Sequence, residues 1–132
     1  MHKTPTAVLT VASLAAAAET TLATSGCEFL NLTRAISMVL AVEVTYGSSA
    51  DDGLTIKFWP LVEADNDTAD SEAWAEWDVP LDAGATVLLH WPREDEVLPL
   101  PAYGKVTVSN DSSGGADTAA TSITIRAIVL EL

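Results

Sequence analysis

The stretch Ile36-Ser-Met-Val-Leu-Ala-Val-Glu-Val-Thr-Tyr46 decides the fold. Its even positions, Ile36, Met38, Leu40, Val42, Val44 and Tyr46, are all large and apolar. Its odd positions, Ser37, Val39, Ala41, Glu43 and Thr45, are smaller or more polar. Side chains alternate across a strand, so a period of two predicts one face in a core and one wetter face. The same period recurs downstream. Leu54, Ile56 and Phe58 alternate with Thr55 and Lys57 until Pro60, which stops a strand or marks an edge. Val87, Leu89 and Trp91 alternate with Thr86, Leu88 and His90, and Pro92 ends the run. Val106 and Val108 alternate with Lys105, Thr107 and Ser109, and Ile123, Ile125 and Ala127 with Thr124 and Arg126. Between these runs lie Gly47–Gly53, the acidic stretch Ala64–Ala73, the turn Asp82-Ala-Gly84, the rigid Pro99-Leu-Pro101 and the flexible Asn110–Asp117. Short strands punctuated by Gly, Pro and Asp predict an all-β antiparallel β-sandwich, jelly-roll or immunoglobulin-like, of about seven or eight strands.

Two regions depart from simple alternation. Ile128, Val129 and Leu130 are consecutive apolar residues, with Leu132 after Glu131. Either a face-switching bulge or burial against a neighbouring subunit accounts for them. The N-terminal residues 1–24, rich in Ala and Thr, have no core pattern of their own. They are read as an extended arm or first strand that contacts a partner, ahead of a sandwich domain at 25–132. A secretory signal is the competing reading of Lys3 followed by Ala7–Ala18, but Pro5, Thr10 and Ser13 disturb its pattern.

Composition then limits the function. The chain has 132 residues, with 6 Lys+Arg against 19 Asp+Glu and a formal net charge of −13. Phosphate neutralisation needs clustered cations, so nucleic acid is excluded as a partner. A 48% hydrophobic content excludes an acidic disordered tail. One cysteine, Cys27, excludes a disulfide scaffold. No run approaches the roughly 18 apolar residues of a membrane span, so no membrane is expected.

Chemistry-bearing residues are sparse. Asp65, Asp67, Asp70 and Glu72 could offer oxygens to a hard cation, but lack the glycine and distant glutamate of a helix-loop-helix calcium site. They are weak metal candidates, and no cofactor is expected. Trp59, Trp74, Trp77 and Trp91 are many for this length. Outward tryptophans stack on sugar rings, whereas buried ones fill cores and subunit interfaces. His90 has no nucleophile or carboxylate at a catalytic spacing, and Cys27 reads as a small buried hydrophobe. No catalytic residue is assigned. Asn31, Asn66 and Asn110 open glycosylation sequons, the last two in expected loops.

The order of segments carries a resemblance. Ser25-Gly26 and Leu30-Asn-Leu32 precede the long strand ending in Val42-Glu-Val-Thr-Tyr-Gly47. Gly53-Leu-Thr-Ile-Lys-Phe58, Trp74–Val79, Leu98-Pro-Leu-Pro-Ala-Tyr103, Lys105–Asn110 and Ser122-Ile-Thr-Ile125 follow. From about Thr24 onward this resembles the small β-sandwich virion proteins of tailed phages and tailed archaeal viruses. The resemblance implies a non-enzymatic structural protein in the virion, assembled in the host cytoplasm. Its expected role is capsid decoration or cement. The alternatives are a neck or tail component, or a carbohydrate-binding sandwich for host recognition. Expected partners are the major capsid or other virion proteins, with a homo-oligomer, trimeric among the options. The expected interface residues are Val8, Val11 and Leu14 of the arm, the tryptophans Trp59, Trp74 and Trp77, and Ile128, Leu130 and Leu132. On this reading, deleting residues 1–22 leaves the sandwich folded and abolishes shell binding.

Overall fold

The computed structural model describes residues 2–63, 67–69, 71–92 and 100–131, with side chains from residue 5 onward. Eight strands follow in order: β1 (His2–Leu14), β2 (Leu30–Asn31), β3 (Ala35–Tyr46), β4 (Leu54–Pro60), β5 (Ala75–Val79), β6 (Thr86–Trp91), β7 (Tyr103–Asn110) and β8 (Ala120–Glu131). Sheet I has the order β1-β8-β3-β6 and sheet II the order β2-β7-β4-β5, and every strand pair is antiparallel. β1 pairs with β8, β2 with β7, β3 with β6 and β4 with β5. The chain is thus one long hairpin folded over on itself, which is the jelly-roll. Of the two sandwiches expected, connectivity selects this one.

The alternation carries through to burial. Met38, Leu40, Val42, Val44 and Tyr46 of β3 face inward with Leu54, Ile56 and Phe58 of β4, Val106 and Val108 of β7, and Ile123 and Ile125 of β8. Each such side chain contributes about 1.5–3 kcal/mol by leaving water. Trp77 of β5 and Trp91 of β6 meet edge-to-face and close the gap between the two sheets at that edge. Gly104 of β7 lies so close to the Phe58 ring that a β-carbon there would sit 2.6 Å from it.

Three expectations meet the structure. Of the two readings of the N-terminal region, an extended arm or a first strand, residues 2–14 form the strand, β1. β1 runs along β8 from His2↔Glu131 to Leu14↔Ala120, with a bulge between Ala7 and Leu9. The bulge turns two consecutive residues, Val8 and Leu9, into the core at 0% exposure. Contacts cross the 24/25 boundary: Leu9 bridges Cys27 and the Glu28 N–H donates to the Val8 carbonyl at 2.9 Å. Finally, Ile128–Leu130 contains no face switch. Val129 points inward and is 8% exposed, while Ile128 and Leu130 keep the outward phase and are half-buried. The irregularity lies opposite, between Ala35 and Ser37 of β3, and leaves Ile36 outside the ladder and 48% exposed.

Tyr46 ties β3 to the start of the β4–β5 pairing. Its buried hydroxyl donates to the Val79 carbonyl at 3.0 Å. Burial pushes its pKa from 10.0 up to about 12, against the opposing pull of the Leu54 backbone N–H. The folded state therefore favours the neutral phenol. This contribution is whole below the unfolded value near pH 10 and is lost as pH rises through about 12. Two units correspond to about 2–3 kcal/mol. Denaturant midpoints measured across this window should fall steeply for the wild type, and less for Tyr46→Phe.

Candidate functional site

Two surfaces stand apart, one on each sheet. The outer face of sheet I is set by strand register. One row joins Pro5, Ile128 and Val39, and the next Ala7, Arg126, Ala41 and His90. A third joins Thr10, Thr124, Glu43 and Leu88, and a fourth Thr121, Thr45 and Thr86. Among the described side chains of these rows, Arg126 and Glu43 alone are Asp, Glu, Lys or Arg. Leu88 protrudes from the face with 72% of its surface in water. In a chain of net charge −13 this is a charge-poor, alanine- and threonine-rich plate.

The outer face of sheet II is built differently. Lys57 and Trp59 occupy the outward phase of β4, and register places Lys105 opposite Trp59 and Thr107 opposite Lys57 on β7. Beyond β7, the segment after β1 crosses to this sheet. The Asn110 N–H donates to Ala18 and the Ala17 N–H to Asn110, both at 2.9 Å, and Glu19 bridges Ser109. The Thr20 N–H then donates to Val108 at 2.9 Å, and the Thr20 hydroxyl accepts from the Val108 N–H at 3.0 Å. This crossing segment pairs along the free edge of β7; beyond it Leu22, with Asp67 and Trp59, meets Lys105 and Thr107, which are buried despite their outward phase. The Lys105 side chain is 8% exposed, and its ammonium donates to the Leu22 carbonyl at 2.8 Å and to Asp67 Oδ1 at 2.7 Å. It pins two loops to one sheet.

A cavity of about 390 Å³ lies between those loops and the sheet. Lys57, Trp59 and Thr107 line it from the sheet, Glu19 and Leu22 from the crossing segment, and Asp67 from the β4–β5 connection. Trp59 Nε1 donates to the Thr107 hydroxyl at 2.8 Å, which fixes the indole and consumes its only polar atom.

The expected site residues scatter. Val8 and Leu14 are core residues of their own chain, and Val11 packs against that core. Trp77 is held by Trp91 and the core, and its Nε1 has no hydrogen-bond partner among the described residues. Trp59 lines the cavity, whereas Trp74 is 44% exposed. Ile128 and Leu130 lie on the outer phase of sheet I, and Leu132 is outside the described residues. Asp65 and Asp70 are outside them too, Asp67 is engaged by Lys105, and Glu72 is exposed. No group of three His, Cys, Asp or Glu converges among the described residues. Burial pushes the Cys27 thiol above its usual range, and its Sγ donates to the Val106 carbonyl at 3.4 Å. Asn110, expected in a loop open to a glycan, is 1% exposed with its amide nitrogen bonded twice.

Sequence reasoning isolated Trp59 but missed Lys57, Thr107, Glu19 and Lys105 as its company. The β4–β7 register brings Lys57, Thr107 and Lys105 to Trp59, the crossing segment adds Glu19, and no periodicity marks either. Neither a family model nor a curated protein matches the sequence. Among solved structures, a chain of the Bacillus endospore appendages, described as a novel family of disulfide-linked pili, superposes with a TM-score of 0.42. It is 14% identical over 99% of this chain and 86% of that one. Similarity at that level carries no argument about what this chain does.

Proposed function

We propose that this chain is a non-enzymatic structural subunit that docks through the outer face of sheet I. In its sharper form, it decorates or cements the outer shell of a virion. One observation carries the reading: a plate whose described side chains include only Arg126 and Glu43 among Asp, Glu, Lys and Arg, on a chain of net charge −13. Burying charge without a partner is expensive, whereas burying Leu88, Ile128, Val39 and alanines releases water favourably. The fully buried centre of a protein interface is likewise poor in charge. The acid elsewhere, at Asp51, Asp52, Glu76, Asp78 and Asp117, keeps the remaining surface soluble and discourages stacking of copies.

The test is cryo-imaging of particles carrying the labelled subunit, with Leu88→Glu and Ile128→Glu placed on the plate. Both variants should fold, since both sites are outward. Particle occupancy should drop by at least about tenfold, as expected for a charge forced into a contact centre. A shell-wide label on wild-type particles supports decoration, and a label at a single pole replaces decoration with a neck or tail position. Unchanged occupancy of both variants overturns the docking face.

A further inference from the structure

We infer that the cavity on the outer face of sheet II is a binding site for a neutral sugar, one ring of which stacks on Trp59. The inference does not depend on the role of sheet I.

The first ground is the platform. Because the Trp59 N–H is already given to Thr107, the indole offers an incoming molecule only its apolar ring surface. Its orientation is fixed before any ligand arrives, so little rotamer freedom is lost on binding. A pyranose has one face of C–H groups that suits such a surface, with hydroxyls around its rim. Leu22 and Ala69 add apolar contact on other sides of the space. The volume of about 390 Å³ falls within the common range for small-molecule sites.

The second ground is charge balance. Asp67 is answered by Lys105 at 2.7 Å, and among the described residues the remaining charges lining the cavity are Lys57 and Glu19, one of each sign. A site for an anion or a cation would be lined predominantly by the opposite sign. Here a donor (Lys57), acceptors (Glu19 and the second Asp67 oxygen) and a hydroxyl (Thr107) are interspersed. Adjacent sugar hydroxyls, each both donor and acceptor, match that mixture. A phosphate would meet two carboxylates, and a quaternary ammonium would meet Lys57.

The third ground is that the site is built. Lys105 is buried beneath the two loops and holds both, so the walls form without a ligand.

The test is a titration of intrinsic tryptophan fluorescence in the full chain with cellobiose, maltose and lactose, and separately with tetramethylammonium and inorganic phosphate. At least one disaccharide should bind saturably, with a dissociation constant of roughly 0.1–1 mM. Trp59→Ala should weaken it at least tenfold and Trp74→Ala should leave it unchanged. Because Trp59 is partly buried, Glu19→Gln provides a second variant at an exposed position, expected to weaken binding several-fold with an unchanged melting curve. Amide shifts in a two-dimensional nitrogen–proton spectrum should fall on residues 19–22, 57–59 and 105–107. The proposal is overturned if none of the three sugars binds. It is equally overturned if Trp59→Ala and Glu19→Gln bind as the wild type does, or if only tetramethylammonium or only phosphate saturates.

Discussion

A chain lacking residues 1–22 is expected not to fold. The deletion removes β1, one edge strand of sheet I, and with it Val8, Leu9 and Leu14 from the core. At about 1.5–3 kcal/mol each, these three side chains alone account for roughly 5–9 kcal/mol. That is comparable with the whole stability of a domain, about 5–15 kcal/mol. The loss does not stop at sheet I. Residues 17–20 are also the neighbours of Val108 and Asn110 in sheet II, and Leu22 is one of the two partners of the Lys105 ammonium. Both sheets therefore lose an edge, and a buried cation loses a ligand. Gly26 shows how closely the two regions are joined: at φ +89° it lies against the Thr10 carbonyl where a β-carbon has no room. Far-ultraviolet circular dichroism and size-exclusion chromatography of the truncated chain should show an expanded or aggregated species. Supplying residues 1–22 as a separate peptide should restore part of the signal. A folded, monomeric truncated chain would show instead that β1 belongs on another molecule.

Why β1 was legible only as an arm or a first strand, when β3, β4, β6, β7 and β8 were plain, is a matter of pattern. A period-two reading needs an unbroken phase, and the bulge at Val8 breaks it. Val8 and Leu9 are both buried, whereas Thr6, Ala7 and Thr10 are exposed. The side chains around them are small, so no hydrophobic face stands out in Ala7–Ala18. In β7 the pattern misled in the opposite sense: Lys105 and Thr107 have the outward phase, yet contacts with Leu22, Asp67 and Trp59 bury them. Alternation reports which side of a strand faces the core. It is silent about what crosses over the other side, and the cavity depends on that crossing. The choice between jelly-roll and immunoglobulin-like order was open for the same reason, since strand pairing is a property of connectivity and each strand carries only its own period. The plate on sheet I was legible in fragments, as Val39, Ala41, Leu88, Ile128 and Leu130, but only register shows that they adjoin.

Asn110→Ala is expected to destabilise the chain by about 3–5 kcal/mol, more than any other polar substitution considered. The residue is 1% exposed at the end of β7. Its side-chain nitrogen donates to the Leu14 and Thr118 carbonyls, each at 3.0 Å, and its Oδ1 accepts from the Ser112 N–H at 3.1 Å. Those three bonds tie together the end of β1, the approach to β8 and the start of the β7–β8 loop. Alanine leaves two carbonyls and one N–H in a dry site, at about 1–3 kcal/mol for each group that water fails to reach. The damage should spread, because the Ser112 hydroxyl in turn accepts from the Asp51 and Asp52 N–H groups at 3.2 Å. Asn110→Asp separates hydrogen bonding from shape. It preserves the side-chain outline but, when ionised, presents only acceptors to two carbonyls. Its native form must then be the protonated acid, which donates one bond. A carboxyl whose protonated form the fold prefers is stabilising below its unfolded pKa near 4 and loses that contribution as pH rises. Urea midpoints should therefore show Asn110→Asp between wild type and Asn110→Ala at low pH and approaching Asn110→Ala at neutral pH. A midpoint for Asn110→Ala within experimental error of wild type would mean that water replaces all three bonds and that the knot does not hold the loop.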